Sequence, residues 1–71
     1  MKSQILTKFG NKVREERLRL GLSQEELAAR ANVHRTYIGM VERAEKNITI
    51  ENIEKIVSGL NMSLSNFFHN F

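Results

Sequence analysis

Residues 23–43 constrain the fold of this chain more than any other stretch. Ser23 and Glu26 stand three apart, the spacing at which a serine hydroxyl and a glutamate carboxylate close a helix's first turn reciprocally. A helix therefore starts at Gln24, and Leu27, Ala28 and Ala31 make its inner face. Asn32 follows, a residue type that tolerates the left-handed backbone of a sharp turn between helices. Val33 plugs that turn. A second helix runs from about Arg35 to Arg43 with Ile38 and Val41 inward. Arg35, Thr36, Gly39 and Met40 then fall on its outer face.

The remainder reads as further helices around this pair. Residues 5–20 make a first helix: Leu6, Phe9, Val13 and Leu20 recur on one face, and Gly21 ends it. Leu18 falls on the opposite face and is expected in solvent. Lys46 and Asn47 lie in a loop. Thr49 caps a fourth helix with Ile53, Ile56, Val57 and Leu60 as its stripe. Ser63 caps a short fifth helix carrying Leu64, Phe67, Phe68 and Phe71. The chain has no proline and four glycines, which suits an all-helical fold. No linker or repeat divides its 71 residues, so 1–71 reads as one domain. A core this small rarely supplies more than ~3–5 kcal/mol, so a partner chain would help.

Catalytic chemistry finds little support. The chain has neither cysteine nor aspartate, so its eight acidic residues are all glutamate. His34 and His69 lack the spacing of metal ligands, and no glycine-rich phosphate loop is present. We expect no enzyme activity, no metal and no cofactor. The N-terminal Met-Lys-Ser-Gln leads into no long apolar run, so neither a signal peptide nor a membrane span is expected. Absence of cysteine makes a cytoplasmic location the simplest reading. The net charge is only +3, but it is unevenly spread. Residues 1–35 hold eight basic residues against four glutamates, and residues 36–71 three against four. Charge supports nucleic-acid binding here only together with the 23–43 motif.

That motif resembles the helix-turn-helix of the phage repressor/Cro family. The resemblance rests on Gln24 opening the first motif helix, on a small Ala28 at the helix crossing, and on Ile38 and Val41 anchoring the second. His-Arg-Thr-Tyr-Ile (34–38), Val-Glu-Arg (41–43) and Asn-Ile-Thr-Ile (47–50) look most like the controller proteins of restriction–modification systems. It spans about Phe9 to Phe68. Asn32 stands where the family usually has glycine, and Glu16 where an apolar residue is common. The resemblance implies a lambda-repressor-like, five-helix all-α domain. It also implies a partly buried ion pair between Arg17 and Glu42, tying the first helix to the second motif helix.

On this reading Arg35 and Thr36 are the base-reading candidates. The arginine fork matches the N7 and O6 acceptors of guanine, and Thr36 offers a hydroxyl and a methyl. Gly39 and Met40 complete the base-facing set, one by close approach and one by apolar contact. Phosphate contacts are expected from Gln24 at a helix N-terminus and from His34, Tyr37, Arg43, Lys46 and Asn47. Tyr37 has packed core as its plain alternative, and His34 a helix cap. Leu64, Phe67, Phe68 and Phe71 stand at i, i+3, i+4 and i+7. Intramolecular core is one reading, but four large apolar residues so close together exceed what a small core covers. We therefore expect the segment 63–71 to make a two-fold dimer face.

Taken together, these features predict a sequence-specific, homodimeric transcriptional regulator that binds a palindromic operator and acts on its own operon. A phage-type repressor, or the antitoxin of a toxin–antitoxin pair, is the alternative. If it activates, resemblance assigns Glu25 the contact with RNA polymerase; complementing the positive end of its helix is the plainer role for that residue.

Overall fold

In a computed structural model the described residues are 3–71. Met1 and Lys2, the latter counted in the basic half above, lie outside them. Five helices follow one another: α1 (Gln4–Arg19), α2 (Gln24–Ala31), α3 (Arg35–Glu42), α4 (Ile50–Gly59) and α5 (Leu64–Phe67). No strand occurs among the described residues. Each helix starts on a side chain that accepts from an otherwise orphaned N–H. Ser3, Ser23, His34, Thr49 and Ser63 take the N–H groups of Leu6, Glu26, Thr36, Asn52 and Asn66. At α2 the capping box closes fully, with Ser23 N–H donating to Glu26 Oε1 at 2.8 Å and Glu26 N–H to Ser23 Oγ at 2.9 Å. Ser3 extends α1 one residue beyond the expected start.

The turn out of α2 is as expected. Asn32 sits at φ 58°, ψ 46°, left-handed, and Val33 N–H returns to Ala28 O at 3.0 Å. A second left-handed turn was not expected. Ala44 has φ 60° and ends α3 with Glu45 N–H on Met40 O at 2.8 Å. An L-residue with a Cβ pays roughly 1–2 kcal/mol there.

The helices bury one shared core. Val13 of α1, Leu27 of α2, Ile38 of α3, Ile56 of α4, Leu60 at the α4 C-cap and Phe67 of α5 are fully enclosed. Full burial of each such side chain is worth about 1.5–3 kcal/mol. α2 is the hub: it packs on both α3 and α4, while α1 packs on α3 and α5 on α4. Two glycines permit these approaches. A Cβ on Gly10 would strike the main-chain carbonyls of Val41 and Glu42, so α1 rests directly on the end of α3. A Cβ on Gly59 would come within 3.2 Å of Ala31 N, where α4 crosses α2. Leu18 stands in solvent, as its place on α1 predicts.

The C-terminal segment corrects the sequence reading. α5 is a single turn ending at Phe67, not a helix through residue 71; the chain then turns, with Asn70 at φ 58°. Phe67 has no exposed surface and cannot touch a second chain. It lies 5.3 Å from the Phe9 ring and 5.0 Å from Phe68, edge to face. Phe68 in turn meets Phe71 at 5.0 Å, and Lys8 Nζ sits 5.0 Å over the Phe71 ring. The aromatic residues thus fill the gap between α1 and α4 that this core leaves open, and Phe67 belongs to the fold. Phe68 and Phe71 are half-buried, and Leu64 stays exposed.

Candidate nucleic-acid interface

The exposed side of α2 and α3 forms a shallow groove walled by Arg17, Ser23, Gln24, Glu25, Arg35, Thr36, Gly39 and Arg43. Beneath it lies a buried ion pair. Arg17 donates Nε to Glu42 Oε2 at 2.7 Å and Nη2 to Glu42 Oε1 at 3.0 Å. Its Nη1 reaches Leu22 O at 2.8 Å, and Gln24 Nε2 also donates to Glu42 Oε1, at 3.0 Å. Only 10 % of the Arg17 side chain and 4 % of the Glu42 side chain remain exposed. Charges so buried persist only when paired and fully hydrogen-bonded, and here both carboxylate oxygens are used. The pair locks α1 to α3, and through Gln24 to the start of α2. The ion pair expected between these positions is therefore present.

The groove surface carries looser charge. Arg35 opens α3 and directs Nη1 to Glu25 Oε2 on α2, at 3.2 Å. Both side chains are largely exposed, at 68 % and 74 %. Thr36 stands beside Arg35 in solvent. Arg43 leaves the far end of α3 and pairs through Nε with Glu45 Oε2 at 3.1 Å. The hydrogen bond that Arg43 donates to Glu45, then the Glu45 charge, raises the Arg43 guanidinium further above its ordinary range.

Gly39 departs from expectation. It is covered rather than open: a Cβ there would lie 3.1 Å from Arg43 Nη1 and 3.5 Å from Gln24 Oε1. With no side chain at 39, Arg43 folds back one turn and occupies the space above it. Gly39 makes the groove floor, and its neighbours make the surface. Met40 is half-buried on the neighbouring face.

The expected phosphate set divides. Gln24 and Arg43 line the groove with Arg35 and Thr36. His34 serves as the cap of α3, its Nδ1 accepting from Thr36 N–H at 3.1 Å, and it otherwise faces solvent. Tyr37 is half-buried against the core, and its hydroxyl accepts from Asn52 Nδ2 of α4 at 3.1 Å. Lys46 and Asn47 are exposed in the α3–α4 loop. Asn47 lines a separate groove with Ile5, Leu6, Phe9, Ile48, Ile53 and Phe68. Sequence reasoning missed Ser23 and Arg17 as groove walls. Their positions follow from the capping box and the buried pair, both of which are legible locally. It also missed the Glu25–Arg35 contact, which depends on the angle of the turn.

With this geometry in place, comparison with known proteins decides the family. A helix-turn-helix family model matches residues 13–67. The Control protein C.BamHI of Bacillus amyloliquefaciens is 46 % identical over 61 residues, covering 84 % of this chain and 75 % of that protein. The chain belongs to the helix-turn-helix family of restriction–modification controller proteins. The Control protein C.MunI of Mycoplasma sp is 39 % identical over 67 residues, or 93 % of this chain and 90 % of that one. Among solved structures, the controller protein C.Esp1396I, as a tetramer in complex with its natural 35 base-pair operator, superposes with a TM-score of 0.93. It shares 39 % identity, with 97 % of this chain and 91 % of that chain covered. The family is one of DNA-binding regulators and not of enzymes. No helix among the described residues is long and apolar enough to cross a membrane.

Proposed function

We propose that this chain is a cytoplasmic, sequence-specific DNA-binding regulator of a restriction–modification operon, acting as a homodimer with its 71 residues as one domain. One observation carries the reading: the inner face of α3 is locked to α1 and α2, while its outer face presents Arg35 and Thr36 beside Arg43 in an open groove. A helix fixed from behind and bare in front is what the major groove accepts. Arg35 reads guanine and Thr36 an adjacent base. Met40 adds apolar contact at the edge, and Gly39 leaves the space above the groove floor that the Arg43 guanidinium occupies. Gln24, His34, Tyr37, Arg43, Lys46 and Asn47 hold the backbone.

The partner chain covers what the fold leaves open. Phe68 lines an apolar groove with Ile5, Ile48 and Ile53, with Leu64 and Phe71 as further uncovered apolar surface. Burying this surface in a two-fold contact sets two α3 helices about one DNA turn apart, ~34–36 Å. Glu25, three-quarters exposed at the start of α2, is also the residue to which resemblance assigns an RNA polymerase contact.

Selection from a randomised duplex pool tests the reading. Enrichment of two inverted half-sites spaced by about one turn is expected, and an unenriched pool overturns it. Arg35→Ala should then lower affinity for the selected duplex by about 1–3 kcal/mol and relax preference at one position per half-site. In sedimentation, Leu64→Glu should shift the chain toward monomer without unfolding it, because Leu64 is exposed. A wild type that sediments only as monomer removes the dimer.

A further inference from the structure

The Glu25–Arg35 contact joins the second residue of α2 to the first residue of α3, across the turn that sets the angle between them. It uses one nitrogen, Nη1, at 3.2 Å. No other group among the described residues engages Arg35, so the edge formed by Nε and Nη2 has no partner among them. That edge carries two parallel N–H donors, the arrangement that matches guanine O6 and N7. Both side chains line the groove, with Thr36 next to them.

We propose that Glu25 is a positioning and specificity-determining residue for Arg35. This rests on the reading of Arg35 as a base contact. The carboxylate holds the guanidinium by its Nη1 corner and leaves the two-donor edge turned outward. A long, flexible side chain thereby reaches the base with part of its rotamer freedom already spent. The pairing also offsets the arginine's charge. A bare Arg35 would be drawn to any nearby phosphate, which is attraction without sequence information. Tethered to Glu25, it gains most where guanine supplies both acceptors. The carboxylate itself repels phosphate, so a sequence that offers Arg35 no acceptors leaves that repulsion uncompensated.

The experiment is a double-mutant cycle with Glu25→Gln and Arg35→Ala. It is read as the ratio of affinities for the selected duplex and a scrambled one, at several salt concentrations. Glu25→Gln alone should raise affinity for scrambled DNA and steepen its salt dependence by about one counterion. The ratio should fall about threefold to fivefold, the scale of an exposed ion pair. In the Arg35→Ala background the same change should leave the ratio where it was. Melting temperatures should stay together, since both groups are exposed. Glu25→Asp keeps the charge on a shorter stem and should fall between wild type and Glu25→Gln. If Arg35→Ala lowers the ratio and Glu25→Gln does not, Glu25 positions nothing and Arg35 still reads the base. If Glu25→Gln lowers the ratio equally with and without Arg35, the carboxylate meets the DNA on its own account and the proposal is wrong. If Arg35→Ala itself leaves the ratio unchanged, the base-contact reading fails and takes the proposal with it.

Discussion

Among the described residues two arginine–glutamate pairs bridge helices, and they differ in almost everything but composition. Arg17 and Glu42 share two hydrogen bonds, lie almost fully out of solvent, and recruit Leu22 O and Gln24 Nε2 to complete their bonding. Arg35 and Glu25 share one contact at 3.2 Å and stand mostly in water. Desolvation separates their roles. Breaking the inner pair strands a buried charge, so it behaves as a rivet between α1 and α3. Breaking the outer pair costs at most ~1 kcal/mol, because water replaces the lost partner. An ion pair that water can replace is one that a base edge can replace as well. The same two residue types thus build the scaffold in one place and, on the function proposed above, leave a base-contacting arginine exchangeable in the other.

The largest test of this contrast lies on the inner pair. Arg17→Met should cost about 3–5 kcal/mol, enough to threaten so small a fold, because Glu42 stays buried with its main partner gone. Adding Glu42→Leu should recover much of that loss. Urea unfolding of the singles and the double measures the coupling, and independent effects would reduce the rivet to two separate charges. Next comes the space that lets the pair form. Gly10→Ala drives a Cβ into the carbonyls of Val41 and Glu42 and should cost about 1–3 kcal/mol as overpacking. Unchanged urea stability would mean that α1 has room to slide.

Smaller effects are expected at the groove's edge. Ala44→Gly relieves left-handed backbone at φ 60°. The relief of ~1–2 kcal/mol is partly offset by the entropy of glycine in the unfolded chain, leaving a gain of about 0.5–1 kcal/mol in thermal melts. Last is the capping box. The backbone hydrogen bond from Ser23, followed by the Ser23 hydroxyl contact, holds Glu26 below its ordinary carboxylate value of 4.5. A lowered folded value means the contribution is present above the unfolded value and is lost as pH falls through the folded one. Melts taken downward from neutral pH should show Glu26→Gln with a slightly shallower acid loss than wild type.

What the sequence discloses and what it hides follows the range of the forces involved. The Ser23–Glu26 box, the left-handed Asn32 and the buried stripe of α4 are settled within one or two turns, and each is legible from spacing. The last nine residues misled because Leu64, Phe67, Phe68 and Phe71 carry a helical pattern that the chain uses for only one turn. Phe9, far away in sequence, decides where Phe67 goes. Gly10 gives no local sign of its importance, since the surface it must not touch belongs to α3. Ala44 in a left-handed turn contradicts the preference of its own residue type. The lining of the groove was mostly readable because one helix face carries it. The coverage of Gly39 by Arg43 and the reach of Glu25 to Arg35 needed the turn in three dimensions.

Phe67 gives the core a late arrival. Of the enclosed residues described it is the last to leave the ribosome, and its ring fills the space beside Phe9, 58 positions earlier. Until it is made, the α1–α3 scaffold stands with an unfilled seat, and closing that long loop is an entropic step that no earlier segment can take. The core therefore closes only after the segment around Phe67 is made: a nascent chain carries α1, α2 and α3 well before the seat beside Phe9 is filled. Copies that stop short of Phe67 lack the ring that fills this seat and leave Phe9 uncovered to proteases.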